Sequence, residues 1–97
     1  MNVHVLLVMK YLDDNNSVTA QELLDNHKAA AIAYATAADT DFYTAYIYAL
    51  AADAASAADA DADVNYAKNT IDWYFGYSKE NKQDYINEIA KNKGDKQ

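Results

Sequence analysis

Two histidines, His4 and His27, and fifteen carboxylates are the groups in this cysteine-free chain that could act as acid, base or metal ligand near neutral pH. His27 falls in the middle of an apolar helical stripe, the usual setting of a core histidine with one hydrogen bond. No His-Glu-x-x-His pair, glycine-rich phosphate loop or nucleophile elbow is present. The paired carboxylates are aspartates in Ala-rich segments expected to be solvated, where nothing displaces their titration. No catalytic residue is therefore expected, and the chain does not read as an enzyme. Asp59-x-Asp61-x-Asp63 matches the first half of a calcium-binding EF-hand loop. That loop needs Gly at its position 6 and Glu at its position 12, which here are Val64 and Thr70. A helix end followed by a helix cap explains the three aspartates better, and neither metal nor cofactor is expected.

The chemistry that remains is recognition. Residues 29–67 contain no Lys or Arg, but eighteen Ala, six Asp and five Tyr. The aspartates are Asp39, Asp41, Asp53, Asp59, Asp61 and Asp63, and together they form the acidic half of a candidate partner-binding surface. The aromatic half is Tyr66, Trp73 and Tyr77, which with Thr70 form a stripe at spacings of four, three and four residues. This stripe lies opposite the apolar face Val64, Ala67, Ile71, Tyr74 and Phe75. Tyr48 adds one aromatic on the polar side of the preceding helix. A helix that is apolar on both sides is either central in its bundle or half-exposed for a partner. Trp and Tyr dominate the residues that anchor protein interfaces.

Imitation of DNA is an alternative, but the charges are sparse. Asp41 and Asp59 share a helix side yet lie about 27 Å apart at 1.5 Å per residue, whereas duplex DNA carries one charge per ~1.7 Å. Asp39, Asp41, Asp61 and Asp63 are also accounted for as helix caps, where a carboxylate meets free amides and the helix dipole. With a net charge of −7 and no arginine, direct binding to nucleic acid is not expected.

These residues must be positioned by helices. Ninety-seven residues make one domain. The chain has six Leu, five Ile, five Val and two Phe to build a core, against twenty Ala and nine Tyr. An Ala/Tyr-rich core implies close helix approach or burial completed by a second subunit, so a homodimer is expected. The run from Val3 to Val8 is compatible with strand or helix. Continued through Leu12, it reads as a first helix within residues 1–16. Thr19 and Glu22 form a capping box for a second helix reaching about Ala38, with Ala20, Leu23, Leu24, His27, Ala31, Tyr34 and Ala38 on its inner face and Ile32 off it. The segment Asp39–Asp41 starts a third helix whose stripe is Tyr43, Ile47, Leu50, Ala54 and Ala57. A fourth, capped by Asp61 to Asp63, reaches about Tyr77. A short last helix capped by Ser78 places Tyr85, Ile86, Ile89 and Ala90 inward, and residues 91–97 fray. The expected fold is an all-α bundle of four to five helices. The apolar run at Val3 to Met9 is far shorter than the ~20 residues that span a bilayer, so no membrane partner is expected and the location is read as cytoplasmic.

The Ala/Asp/Tyr-rich run 32–63, followed by Ile71-Asp-Trp-Tyr-Phe-Gly-Tyr and Asn81-Lys-Gln-Asp-Tyr-Ile-Asn-Glu-Ile, resembles small accessory proteins of tailed bacteriophages. The likeness covers about two-thirds of the chain and is one of composition, so no functional residue is carried over. It implies a protein of the host cytoplasm that inhibits a host protein by stoichiometric binding, the target being a nucleic-acid-handling defence factor of the restriction or CRISPR type. A self-assembling structural protein is a further alternative.

Overall fold

Asn2 opens the first helix, its side-chain oxygen accepting from the backbone amides of His4 and Val5 at 2.9 and 3.2 Å. In the computed structural model, which describes residues 1–59 and 64–94, that helix, α1, spans Val3–Asp13. A 3-10 turn at Asn15–Ser17 follows, then α2 (Ala20–Ala37), α3 (Phe42–Asp59), α4 (Val64–Tyr77) and α5 (Lys82–Gly94). The fold is all-α, with no strand among the described residues. The ambiguous β-branched run at Val3 to Val8 is helical because burial overrides its propensity: Val5 and Val8 are fully buried. Asp14 and Ser17 close α1, with Ser17 Oγ donating to the carbonyls of Lys10 and Asp14.

The predicted capping box starts α2. Thr19 Oγ1 accepts from the Glu22 amide at 3.1 Å, and Glu22 Oε1 accepts from the Thr19 amide at 3.0 Å. Asp41 caps α3, accepting from the Thr44 amide at 2.8 Å and the Thr44 hydroxyl at 3.0 Å. The backbone amide and hydroxyl of Thr44 hold the Asp41 carboxyl below the usual range. The cap expected at Asp61 to Asp63 lies outside the described residues.

Helices α2, α3 and α4 pack side by side with α3 in the middle, and α1 lies across all three with α5 against it. The central position of α3 explains its composition. A helix flanked by three others buries more than one stripe, and alanines let neighbouring backbones approach closely. Ala51, Ala54, Ala55 and Ala58 are each at most 3 % exposed. The larger apolar groups lie around them: Val5, Val8 and Met9 from α1, Leu23 from α2, Leu50 from α3, Ile71 and Tyr74 from α4, Tyr85 from α5.

Several expected faces are rotated. On α2 the buried side is Leu23, Asn26, Ala30 and Ala37, while Ala31, Tyr34 and Ala38 are exposed. Asn26 draws the helix round by bonding α1 twice, its Oδ1 3.0 Å from His4 Nδ1 and its Nδ2 donating to the His4 carbonyl at 3.2 Å. On α3 the buried side shifts from Tyr43 and Ala57 to Ala51, Ala55 and Ala58, because this helix faces three neighbours. Asn81, not Ser78, caps α5, accepting from the Gln83 amide at 2.9 Å. On α5 Tyr85 is buried, but Ile86 and Ala90 are exposed. Helix α5 extends through Gly94, and residues 95–97 lie outside the described residues.

Candidate functional site

The exposed side of α4 and the adjoining side of α3 form one aromatic seam. The two helices run antiparallel, so the start of α3 meets the end of α4. Tyr46 packs on Tyr77 with ring centroids 4.9 Å apart and planes tilted by 40°. Seven residues further along α3, Asp53 Oδ2 accepts from the Tyr66 hydroxyl at 2.6 Å. Between these contacts stands Trp73, seven residues after Tyr66 and four before Tyr77. Phe42, one turn before Tyr46, continues the row. Exposures are 43 % for Tyr66, 46 % for Tyr46, 55 % for Trp73, 58 % for Tyr77 and 95 % for Phe42. The exposure expected of Tyr66, Trp73 and Tyr77 from helical spacing is what the structure has. Thr70, placed on the same stripe, is instead fully buried, its hydroxyl donating to the Tyr66 carbonyl at 2.9 Å.

The seam carries one carboxylate, Asp53, and neither helix brings a cation to it. Helix α3 has no Lys or Arg, and the one Lys of α4, Lys68, lines a separate groove with Met9, Leu12 and Asp13. Hydrogen bonding from the Tyr66 phenol to Asp53, and the charge of that carboxylate, raise the Tyr66 pKa above the ordinary phenol value.

The other candidate residues go elsewhere. Tyr48 is half-buried and lines a cleft of about 410 Å³ with Tyr43, Ile47, Tyr74, Ser78 and Glu80. Asp59, expected on the outer acidic face, is half-buried and pairs with His27 Nδ1 at 3.0 Å, tying the end of α3 to α2. Asp41 is occupied as a cap, and Asp39 is exposed in the turn before it. Asp61 and Asp63 lie outside the described residues. The six aspartates therefore do not act as one surface: Asp53 alone joins the aromatic row.

Sequence reasoning missed Glu80 and its partners. Tyr74 Oη donates to Glu80 Oε2, and Tyr85 Oη donates to Oε1 at 2.7 Å. The Met1 amino group lies 3.6 Å from the same Oε1, and the Asn2 amide donates to Tyr85 Oη at 2.6 Å. Phe75 packs edge-on against both rings, with centroids 5.2 Å from Tyr74 and 4.9 Å from Tyr85. Burial alone would raise the Glu80 pKa, but the two hydroxyls and the Met1 ammonium outweigh it and hold the carboxyl below the usual range. Burial first, and the Glu80 bond second, push Tyr85 up to about 12 and Tyr74 higher still. The signal was available: a buried Tyr hydroxyl needs an acceptor, and Glu80 is the acid in the turn between the two tyrosines. The cluster joins α1, α4 and α5.

Among the described residues, no group of three or more His, Asp or Glu could hold a metal, and no helix is long and apolar enough to cross a membrane. No protein-family model, curated protein or solved structure matches the chain.

Proposed function

We propose that the protein works by stoichiometric binding to another protein, with the α3–α4 seam as its contact surface. The observation that carries this reading is the row Tyr46, Tyr66, Trp73 and Tyr77, four aromatics exposed along one side of the α3–α4 pair. Singly exposed apolar residues are ordinary; a contiguous row of them marks an interaction surface. The rings are also pre-organised by the Tyr46–Tyr77 contact and the Tyr66–Asp53 bond, which lowers the entropy lost on binding. The resemblance to phage accessory proteins implies a target that is a host factor handling nucleic acid, with inhibition as the outcome.

Two measurements test this. Expression in bacteria carrying a restriction or CRISPR system should restore plating of a sensitive phage, and Trp73→Ala should abolish the protection while keeping the helical circular dichroism. Protection retained by Trp73→Ala would remove the seam from the reading; no protection against any such system would remove the target class.

DNA imitation draws little support, since the carboxylates are dispersed: Asp41 caps α3, Asp59 meets His27 on α2, and Asp53 stands by itself in the seam.

A further inference from the structure

The chemistry of the seam specifies its occupant more closely than "a protein". It offers π-faces at Tyr66, Trp73 and Tyr77, one exposed carboxylate at Asp53, and no cation from either helix on that side. A purely apolar segment would cover Asp53 and the phenol hydroxyls without satisfying them, which costs free energy. Nucleic acid bases could stack on the rings, but their phosphates would meet the Asp53 carboxylate with no Lys or Arg from α3 to offset it. A second copy would bring another Asp53 and no cation from either helix to meet the first. A cationic partner meets none of these penalties.

Among cations the geometry favours the guanidinium. It is planar, stacks on aromatic faces, and presents a fork of N–H donors to a carboxylate, whereas an ammonium is a compact, strongly hydrated point charge. Asp53 bonds Tyr66 through Oδ2. An ionised carboxylate has about four lone-pair sites, so it can hold the phenol and a guanidinium together. The Tyr66–Asp53 bond places ring and carboxylate side by side, the two groups that one arginine uses at once. We infer that the α3–α4 seam is a docking site for arginine side chains of a basic protein surface, with Asp53 taking one guanidinium against the Tyr66 ring and Trp73, two turns further along α4, offering a stacking face to a neighbouring arginine. This inference rests on the seam being the contact surface and deepens that reading.

The test uses the full chain and three acetylated, amidated tetrapeptides: Arg₄, Lys₄ and a neutral Gln₄. Binding is read from the Trp73 indole and from the backbone amides by NMR. Arg₄ should shift Trp73, Tyr66 and Asp53 selectively, and bind about tenfold more tightly than Lys₄, the size of an added stacking contact. Trp73→Ala and Asp53→Asn should each remove that preference while the remaining spectrum stays folded. Equal affinity for Arg₄ and Lys₄, with shifts spread over all exposed aspartates, would overturn the inference in favour of diffuse charge attraction. Shifts at the seam with Gln₄, or shifts on raising protein concentration alone, would overturn it in favour of an apolar partner or a second copy. Failure of Arg₄ to bind while Trp73→Ala still abolishes host protection would sink the arginine assignment and leave the seam's role standing. Loss of neither property in Trp73→Ala would sink both.

Discussion

Among the described residues, tyrosine hydroxyls meet a carboxylate at Glu80 and at Asp53, and burial sets the two places apart. At one end, Tyr74 and Tyr85 are each 1 % exposed and donate to Glu80 inside the junction of α1, α4 and α5. On the flank, Tyr66 is 43 % exposed and donates to Asp53. In the first, the rings fill the core and the carboxylate satisfies hydroxyls that would otherwise be buried without a partner. In the second, water could satisfy both groups equally well, so the bond adds little to stability. What it does is hold a ring in place at the surface. One chemical pair thus serves cohesion where it is covered and presentation where it is not.

The contrast is sharpest between adjacent residues. Tyr74→Ala should destabilise the protein by about 3–5 kcal/mol, the cost of truncating a buried aromatic, and leave Glu80 without one of its donors. Urea unfolding should show the loss as a lower midpoint at unchanged slope. Trp73→Ala, one residue away, should leave that midpoint nearly unchanged yet weaken partner binding by ~2 kcal/mol or more, as titration calorimetry would read. If the two mutants lost stability equally, Trp73 would belong to the core and the distinction between the two regions would collapse.

The parts legible in the sequence were those governed by local rules. The Thr19–Glu22 capping box, the Asp41 cap and the exposed spacing of Tyr66, Trp73 and Tyr77 follow from single-helix geometry. Faces that depend on neighbours were not legible. Ala51, Ala55 and Ala58 read as filler until α3 is known to lie between α2 and α4. Asn26 reads as polar surface until it meets His4. Asp59 joined the acidic surface on paper because its partner, His27, is thirty-two positions away in the chain. The aspartates were overcounted for the same reason: net charge is a property of the sequence, but which charges remain unpaired is a property of the packing. Tyr46 joins the row only because α3 packs against α4 and brings it onto Tyr77, which no single-helix pattern shows.

Glu80→Gln probes the buried pair through pH. The folded carboxyl is held below its ordinary value of 4.5, so its contribution is fully present above that pH and is lost as pH falls through the folded value. Tyr85 adds the opposite limb: raised from 10.0 to about 12, it contributes fully below pH 10 and loses that contribution as pH rises towards 12. Glu80→Gln should cost about 1–3 kcal/mol at neutral pH, as expected for hydrogen bonds to a charged group, and should flatten the acid limb of the stability–pH curve. It should also bring the alkaline limb to lower pH, because the tyrosines lose the carboxylate that opposes their ionisation. An acid limb as steep in the variant as in the parent would mean that another carboxylate carries it.

Asp53→Asn applies the same change at the surface, and its effect should be the smallest. The melting temperature should not move, because both groups are open to water. The Tyr66 phenol, raised by the hydrogen bond to Asp53 and by its charge, should titrate closer to the ordinary phenol value, as ultraviolet difference spectra against a Tyr66→Phe reference would show. Trp73 should stay as exposed as before to a neutral quencher. The substitution is nearly isosteric, so a fall in partner binding without a change in melting would assign that loss to the carboxylate's charge. A fall in melting temperature comparable to that of Glu80→Gln would show that the Tyr66–Asp53 bond holds α3 to α4 after all, and the division between cohesion and presentation would have to be redrawn along that seam.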